Sequence, residues 1–273
     1  MQGVHVTPTT VTTMSGEREV DLRMDGHLNG PPDVVQGGIA AGMLLAAARS
    51  VDRFGAPVTS IDARLKAPTP TDTGVQAFVS RVAGAIYEVE TRIDGRELVA
   101  GTVELAGHDP IPRIADMMHL ATVPLPEPQP QYAAPQCWVC GPDNPHGLHL
   151  HPAWTPDGAI VQGFIVDEEL AGPDGALDPL VVAALLDCPT VWCAQRHLDA
   201  INMRGAVLAG FHVRYFAEVP VGEPIRIVAT MDEADGRKIR ARSAVLDEDG
   251  TVYAMASAFQ YAVPDMPGVP PAA

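Results

Sequence analysis

Along the chain, short runs of alternating apolar and polar residues twice give way to one long apolar block. Glu17–Met24 (EREVDLRM) sets Val20, Leu22 and Met24 against charged neighbours, the period-two pattern of a half-buried strand. A Gly/Pro turn region follows at Gly26–Val35. Gln36–Val51 (QGGIAAGMLLAAARSV) is apolar nearly all round, which predicts a helix buried on most faces. Alternation near Val58–Leu65, Val75–Val82, Ala85–Ile93 and Glu97–Ala106 predicts four strands, with Asp94-Gly95 as a hairpin turn.

The same order then recurs. Ala159–Val166 reads as a strand and Asp167–Leu177 as a Gly/Pro loop. Asp178–Gln195 (DPLVVAALLDCPTVWCAQ) reads as a helix whose start is marked by Asp followed by Pro. Strands are predicted near Val207–Phe216, Pro224–Met231, Lys238–Asp247 and Thr251–Tyr261, with Asp249-Gly250 as the matching turn. Arg64 falls on Arg214, and Ala67 and Pro70 on Ala217 and Pro220, all at one offset. Between the copies, Pro124–Pro135 (PLPEPQPQYAAP) is a Pro-rich linker. The domain reading is therefore 15–123, a linker at 124–136, and 137–263, with both termini loosely ordered. One helix and a strand meander, in duplicate, predict an α+β fold of two antiparallel sheets, each wrapped around a central helix.

Composition changes this picture little. The chain has 273 residues and 47% hydrophobic content, ample for such a core. Its net charge of −16 argues against a nucleic-acid partner. No signal peptide or bilayer-spanning run is visible, and four cysteines do not make a disulfide framework, so a cytoplasmic protein without a membrane partner is expected.

The stretch Cys137–Leu150 (CWVCGPDNPHGLHL) carries candidate chemistry. Cys137, Cys140, His146, His149 and His151 have metal-ligand residue types, but HLHLH alternates like a strand and puts His149 and His151 on one face. An Asp-Asn-Pro-His run resembles a hydratase pattern without its spacer residues. The preferred reading is structural: a Cys-x-x-Cys-Gly turn and an Asn-Pro bend leading into the second repeat, with no metal expected.

Here the chain resembles a family. Cys-x-x-Cys-Gly-x-x-Asn-Pro-x-Gly-Leu-x-Leu is similar to the lead-in of PaaI-like acyl-CoA thioesterases of the hotdog superfamily. Val35–Gly42 resembles their His-Gly-Gly helix start, with Gln36 in place of His. Gly55–Pro70 is similar to the strand that follows, and Leu185-Leu186-Asp187 resembles the helix carboxylate nine residues after the His. The likeness spans roughly residues 15 to 262 and implies a double hotdog, an intramolecular pseudo-dimer with two composite sites. One site would join Gln36, Gly37 and Gly38 to Asp187. The other would join Asp178, Pro179 and Leu180 to Leu45, and so lacks a carboxylate and one N–H. One competent and one degenerate site are expected.

The implied activity is thioester hydrolysis of an acyl-CoA. The Gly37 and Gly38 amides would stabilise the oxyanion, Asp187 would act as base or nucleophile, and Gln36 would hold Asp187 ionised. Thr190 would position water, and Asn29 matches a family position that contacts the site. Arg64, Arg214, Arg240 and Arg242 are the expected contacts to the CoA phosphates. No cofactor is implied beyond CoA within the substrate. Two other readings stand beside this one: a non-catalytic acyl-CoA or lipid-binding protein, and a hydratase or dehydratase, for which His212 is the nearest candidate. Further pairing into a homodimer of pseudo-dimers stays open.

Overall fold

The computed structural model describes residues 6–14, 17–111, 117–129, 134–172 and 174–266. The first repeat contains β1 (Val6–Met14), β2 (Glu17–Met24), α1 (Gly37–Val51), β3 (Ser60–Leu65), β4 (Val75–Ala83), β5 (Ile86–Ile93) and β6 (Arg96–Glu104). The second contains β7 (Ile160–Ile165), α2 (Pro179–Trp192), a short α3 (Gln195–Ala200), β8 (Gly205–Tyr215), β9 (Pro224–Asp235), β10 (Lys238–Leu246) and β11 (Val252–Val263).

The strands form one sheet in the order β1-β2-β4-β5-β6-β3-β8-β11-β10-β9-β7. Two sheets were expected, but β3 and β8 pair antiparallel, Ser60 with Arg214 and Arg64 with Gly210, and fuse the halves into an eleven-stranded whole. The joined edges leave no exposed ladder at the centre, where unpaired backbone groups would otherwise need covering. The architecture is the double hotdog: the sheet curls around α1 and α2, which pack against one another. Ile39, Met43, Leu44 and Leu45 of α1 and Val181, Leu185 and Leu186 of α2 are fully buried. Each such side chain contributes about 1.5–3 kcal/mol by leaving water.

Both helices start on capping side chains. Gln36 Oε1 accepts from the Ile39 N–H at 2.9 Å, and Asp178 Oδ1 accepts from the Leu180 N–H at 2.8 Å, with Pro179 at the first helical position. The loops before them share their bonding. Gly30 N–H donates to Val34 O and Gln36 N–H to Leu28 O; Gly172 N–H donates to Ala176 O and Asp178 N–H to Leu170 O. The duplication thus reaches single hydrogen bonds. The Asp94-Gly95 turn has both residues at positive φ, 49° and 78°, as its hairpin requires.

Three expectations are corrected. β1 forms at an N-terminus read as loose, because it pairs along β2. α2 ends at Trp192 rather than Gln195, and α3 follows it. The HLHLH run is not a strand: His149 sits at φ 51° and its Nδ1 lies 3.1 Å from Gly141 O. Residues 137–150 form an irregular strap, in keeping with the turn and bend read there. Of the linker, 130–133 lie outside the described residues, as do 1–5 and 267–273 of the termini.

The strap is tied to the first repeat. Trp138 N–H donates to Asn29 O at 2.6 Å, and Asn144 Nδ2 donates to His27 O at 2.8 Å. It therefore lies beside the loop that starts α1.

Candidate active site

A cavity of about 610 Å³ opens beside the N-terminus of α1. Its floor is the end of α1 (Gln36, Gly37, Ala40) against α2 (Asp187, Cys188, Val191, Trp192), and the strap closes one side with Cys137 and Cys140. Leu65 from β3 and Val207–Ala209 from β8 form the sheet wall. The lining is mostly apolar, with one carboxylate among the described residues.

That carboxylate is held at the end of α1. Asp187 Oδ2 accepts from Gln36 Nε2 at 2.7 Å and from the Gly38 N–H at 3.0 Å. No hydrogen bond to Oδ1 is found among the described residues. Burial pushes the Asp187 carboxyl up to about 7, a charged Cys137 sulfur pushes the same way, and the Gly38 N–H opposes both. Gln36 spans the contact, since its carbonyl caps its own helix while its amide also reaches Ala184 O at 3.3 Å.

The two glycines do different things. A Cβ at Gly38 would lie 2.3 Å from Ala183 O, so glycine there lets α1 approach the α2 backbone. Its N–H is committed to Asp187, which leaves it no donor for an oxyanion. Gly37 lines the cavity, and its N–H donates to nothing among the described residues. The expected pair of amide donors is therefore a single one.

The remaining expected residues divide. Thr190 is fully buried away from the cavity; its hydroxyl donates to Asp187 O at 2.6 Å and accepts from Gln260 Nε2. Asn29 joins the strap through its backbone and does not line the cavity. None of the four arginines reaches it either. Arg214 pairs with Asp109, Arg242 with Asp232 at 2.7 Å, Arg240 lies over the Phe259 ring, and Arg64 borders a shallow groove on the outer face of the sheet. Strand alternation is the reason: odd positions of β3 face the helix and even ones face out. Among the described residues, the cations on the cavity wall are Lys66, just past β3, and Arg204, just before β8. They bind Glu97 and Asp265 respectively. Only the position of Lys66 at a strand end hinted at this. His212 is exposed on the outer face, paired across the strands with Asp62.

The pseudo-equivalent site has about 40 Å³. Pro179 stands in the place of Gly37 and fully buried Leu45 in the place of Asp187. Tyr215, the counterpart of Leu65, fills the space and donates its hydroxyl to Pro179 O at 2.9 Å.

Solved structures similar to this chain share its fold. A candidate thioesterase of Novosphingobium aromaticivorans DSM 12444 is 16% identical, with 92% of this chain and 97% of that one covered and a TM-score of 0.60. A protein with hot dog fold from Alicyclobacillus acidocaldarius is 16% identical over 93% and 95%, at 0.60. The dehydratase domain of PpsC from Mycobacterium tuberculosis, in complex with C12:1-CoA, is 15% identical over 94% and 98%, at 0.62. No family model matches the sequence, and no curated protein does. Among the described residues, no helix is long and apolar enough to cross a membrane.

Proposed function

We propose that the protein hydrolyses an acyl-CoA thioester in the larger cavity. The observation that carries this reading is Asp187, buried on α2 and bound through Oδ2 to the α1 N-terminus while lining an apolar cavity. The cavity suits an acyl chain, and the Gly37 N–H at the positive end of α1 suits the developing oxyanion. Oδ1 is the oxygen left for the chemistry. It takes a proton from water as that water attacks the carbonyl, and the CoA thiolate leaves. A base with its value raised to about 7 is matched to that task near neutral pH. Gln36 is a positioning residue, since it acts by fixing Asp187. Lys66 and Arg204 stand where a CoA phosphate would approach the mouth.

The similarity to a dehydratase domain raises a second reading, but acid–base dehydration pairs a carboxylate with His, and among the described residues no His lines this cavity. A binding protein without turnover is the remaining alternative.

The test is free-thiol release from short, long and aromatic acyl-CoAs, with wild type beside Asp187→Asn. Hydrolysis predicts turnover in wild type and a loss of at least ~100-fold in the variant, about 2.7 kcal/mol of barrier. Binding of a CoA ester without turnover would make the protein a carrier.

A further inference from the structure

Three buried thiols meet at the edge of the cavity. Cys137 and Cys140 come from the strap, and Cys188 comes from α2, one residue after Asp187. The Cys137 and Cys140 sulfurs lie 3.7 and 3.8 Å from the Cys188 sulfur, and all three lie within 4.8 Å of one another. None is in a disulfide. Two thiolates on one tetrahedral zinc, with Zn–S bonds of ~2.3 Å, stand ~3.8 Å apart. The Cys137–Cys188 and Cys140–Cys188 separations are close to that spacing.

The strap turns tightly after Cys137, with the Gly141 N–H donating to Cys137 O at 2.7 Å. The tight turn needs glycine after it, since a Cβ at Gly141 would lie 2.3 Å from Pro135 O and 2.4 Å from Cys137 N. Two of the histidines in this stretch are engaged elsewhere, His149 with Gly141 O and His146 against the His27 ring.

We propose that Cys137, Cys140 and Cys188 form a three-thiolate site for a soft divalent cation, zinc by its ligand set, with the fourth coordination position open to the acyl cavity. All three cysteines line that cavity, so the open position faces it and takes water or a small exogenous ligand. The ion fastens the strap to α2 beside the residue that carries the carboxylate. Each thiol that binds gives up its proton, so loading releases protons to solvent. The site stands whether or not the protein hydrolyses thioesters.

The test uses the full-length protein purified with reductant from zinc-supplemented cells. The expected results are close to one zinc per chain by elemental analysis and, after exchange to cobalt, thiolate-to-cobalt charge-transfer absorption with tetrahedral d–d bands. Cys140→Ser and Cys188→Ser should each weaken zinc binding at least tenfold in competition with a chromophoric chelator, because losing even the partner of a ligand costs ~10-fold. Cys193→Ser should leave it unchanged, as that thiol bonds Thr190 O outside the cluster. If a cluster variant fails to fold, the wild-type cobalt spectrum still decides. Wild type without zinc and without a cobalt–thiolate band after full reduction overturns the proposal. So does a Cys137–Cys188 or Cys140–Cys188 disulfide whose reduced form takes up no metal.

Discussion

The two composite sites of this molecule start from the same loop, the same cap geometry and the same helix contact, yet one holds about 610 Å³ and the other about 40 Å³. Gly30, Gln36 and Leu28 repeat the backbone bonds of Gly172, Asp178 and Leu170. The divergence rests on few side chains. Pro179 replaces Gly37 and removes the free N–H, Leu45 replaces Asp187 and removes the carboxylate, and Tyr215 replaces Leu65 and occupies the space. The strap adds Cys137 and Cys140 to the first site only. In a true dimer any change in one site appears in both. Fusion of the copies frees one site to become core while the other keeps its polar groups.

The comparison can be broken most severely at Leu45. Leu45→Asp restores the missing carboxylate in name, but it places an unpaired charge in a closed core. It should cost about 3–5 kcal/mol of stability by chemical denaturation and create no second active site. A gain of turnover in an Asp187→Asn background would show that the twin cavity opens. The loss expected for Asp187→Asn itself comes next in size.

Gly38→Ala tests whether helix approach, rather than donor supply, explains the second glycine. Its Cβ would meet Ala183 O at 2.3 Å, so overpacking of about 1–3 kcal/mol is expected, with loss of the Asp187 hydrogen bond. Unchanged stability would contradict the close helix contact.

The pH dependence sharpens the contrast in metal-free, reduced protein. The Asp187 carboxyl is raised from 3.8 to about 7 in the fold, chiefly by burial. Its protonated form therefore favours the native state. That contribution is complete below about 4 and is lost as pH rises to about 7. kcat/KM should rise through pH 7 as the base ionises. Asp187→Asn should remove that limb and melt no lower than wild type at pH 8. A flat profile in wild type would exclude Asp187 as the titrating base.

The smallest effects belong to the outward-facing arginines. Arg64→Ala and Arg240→Ala should change KM for an acyl-CoA by less than ~2-fold, since exposed ion pairs contribute about 0–1 kcal/mol. Lys66→Ala, on the cavity wall, should raise it further. The opposite ranking would return the CoA contacts to the outer face.

What the sequence determined by itself was periodic or duplicated. Alternation in Glu17–Met24 and the Ala/Leu block after Gln36 fold as read, because burial pattern and local geometry agree there. The family resemblance implied which half-sites would face each other, and Gln36 Nε2 lies 2.7 Å from Asp187 Oδ2, 151 residues away. Tertiary structure decided the rest, because it depends on which neighbour a group meets. Gly38 and Gly37 look alike in sequence, and only the position of α2 turns one amide to Asp187 and leaves the other free. Arg64 and Lys66 share a strand face in the pattern, yet the strand ends at Leu65 and only Lys66 reaches the cavity. HLHLH has strand periodicity, but with no partner strand it folds into the strap. Cys188 lies 48 residues from Cys140, and no spacing rule joins them; packing of the strap on α2 brings their sulfurs to 3.8 Å.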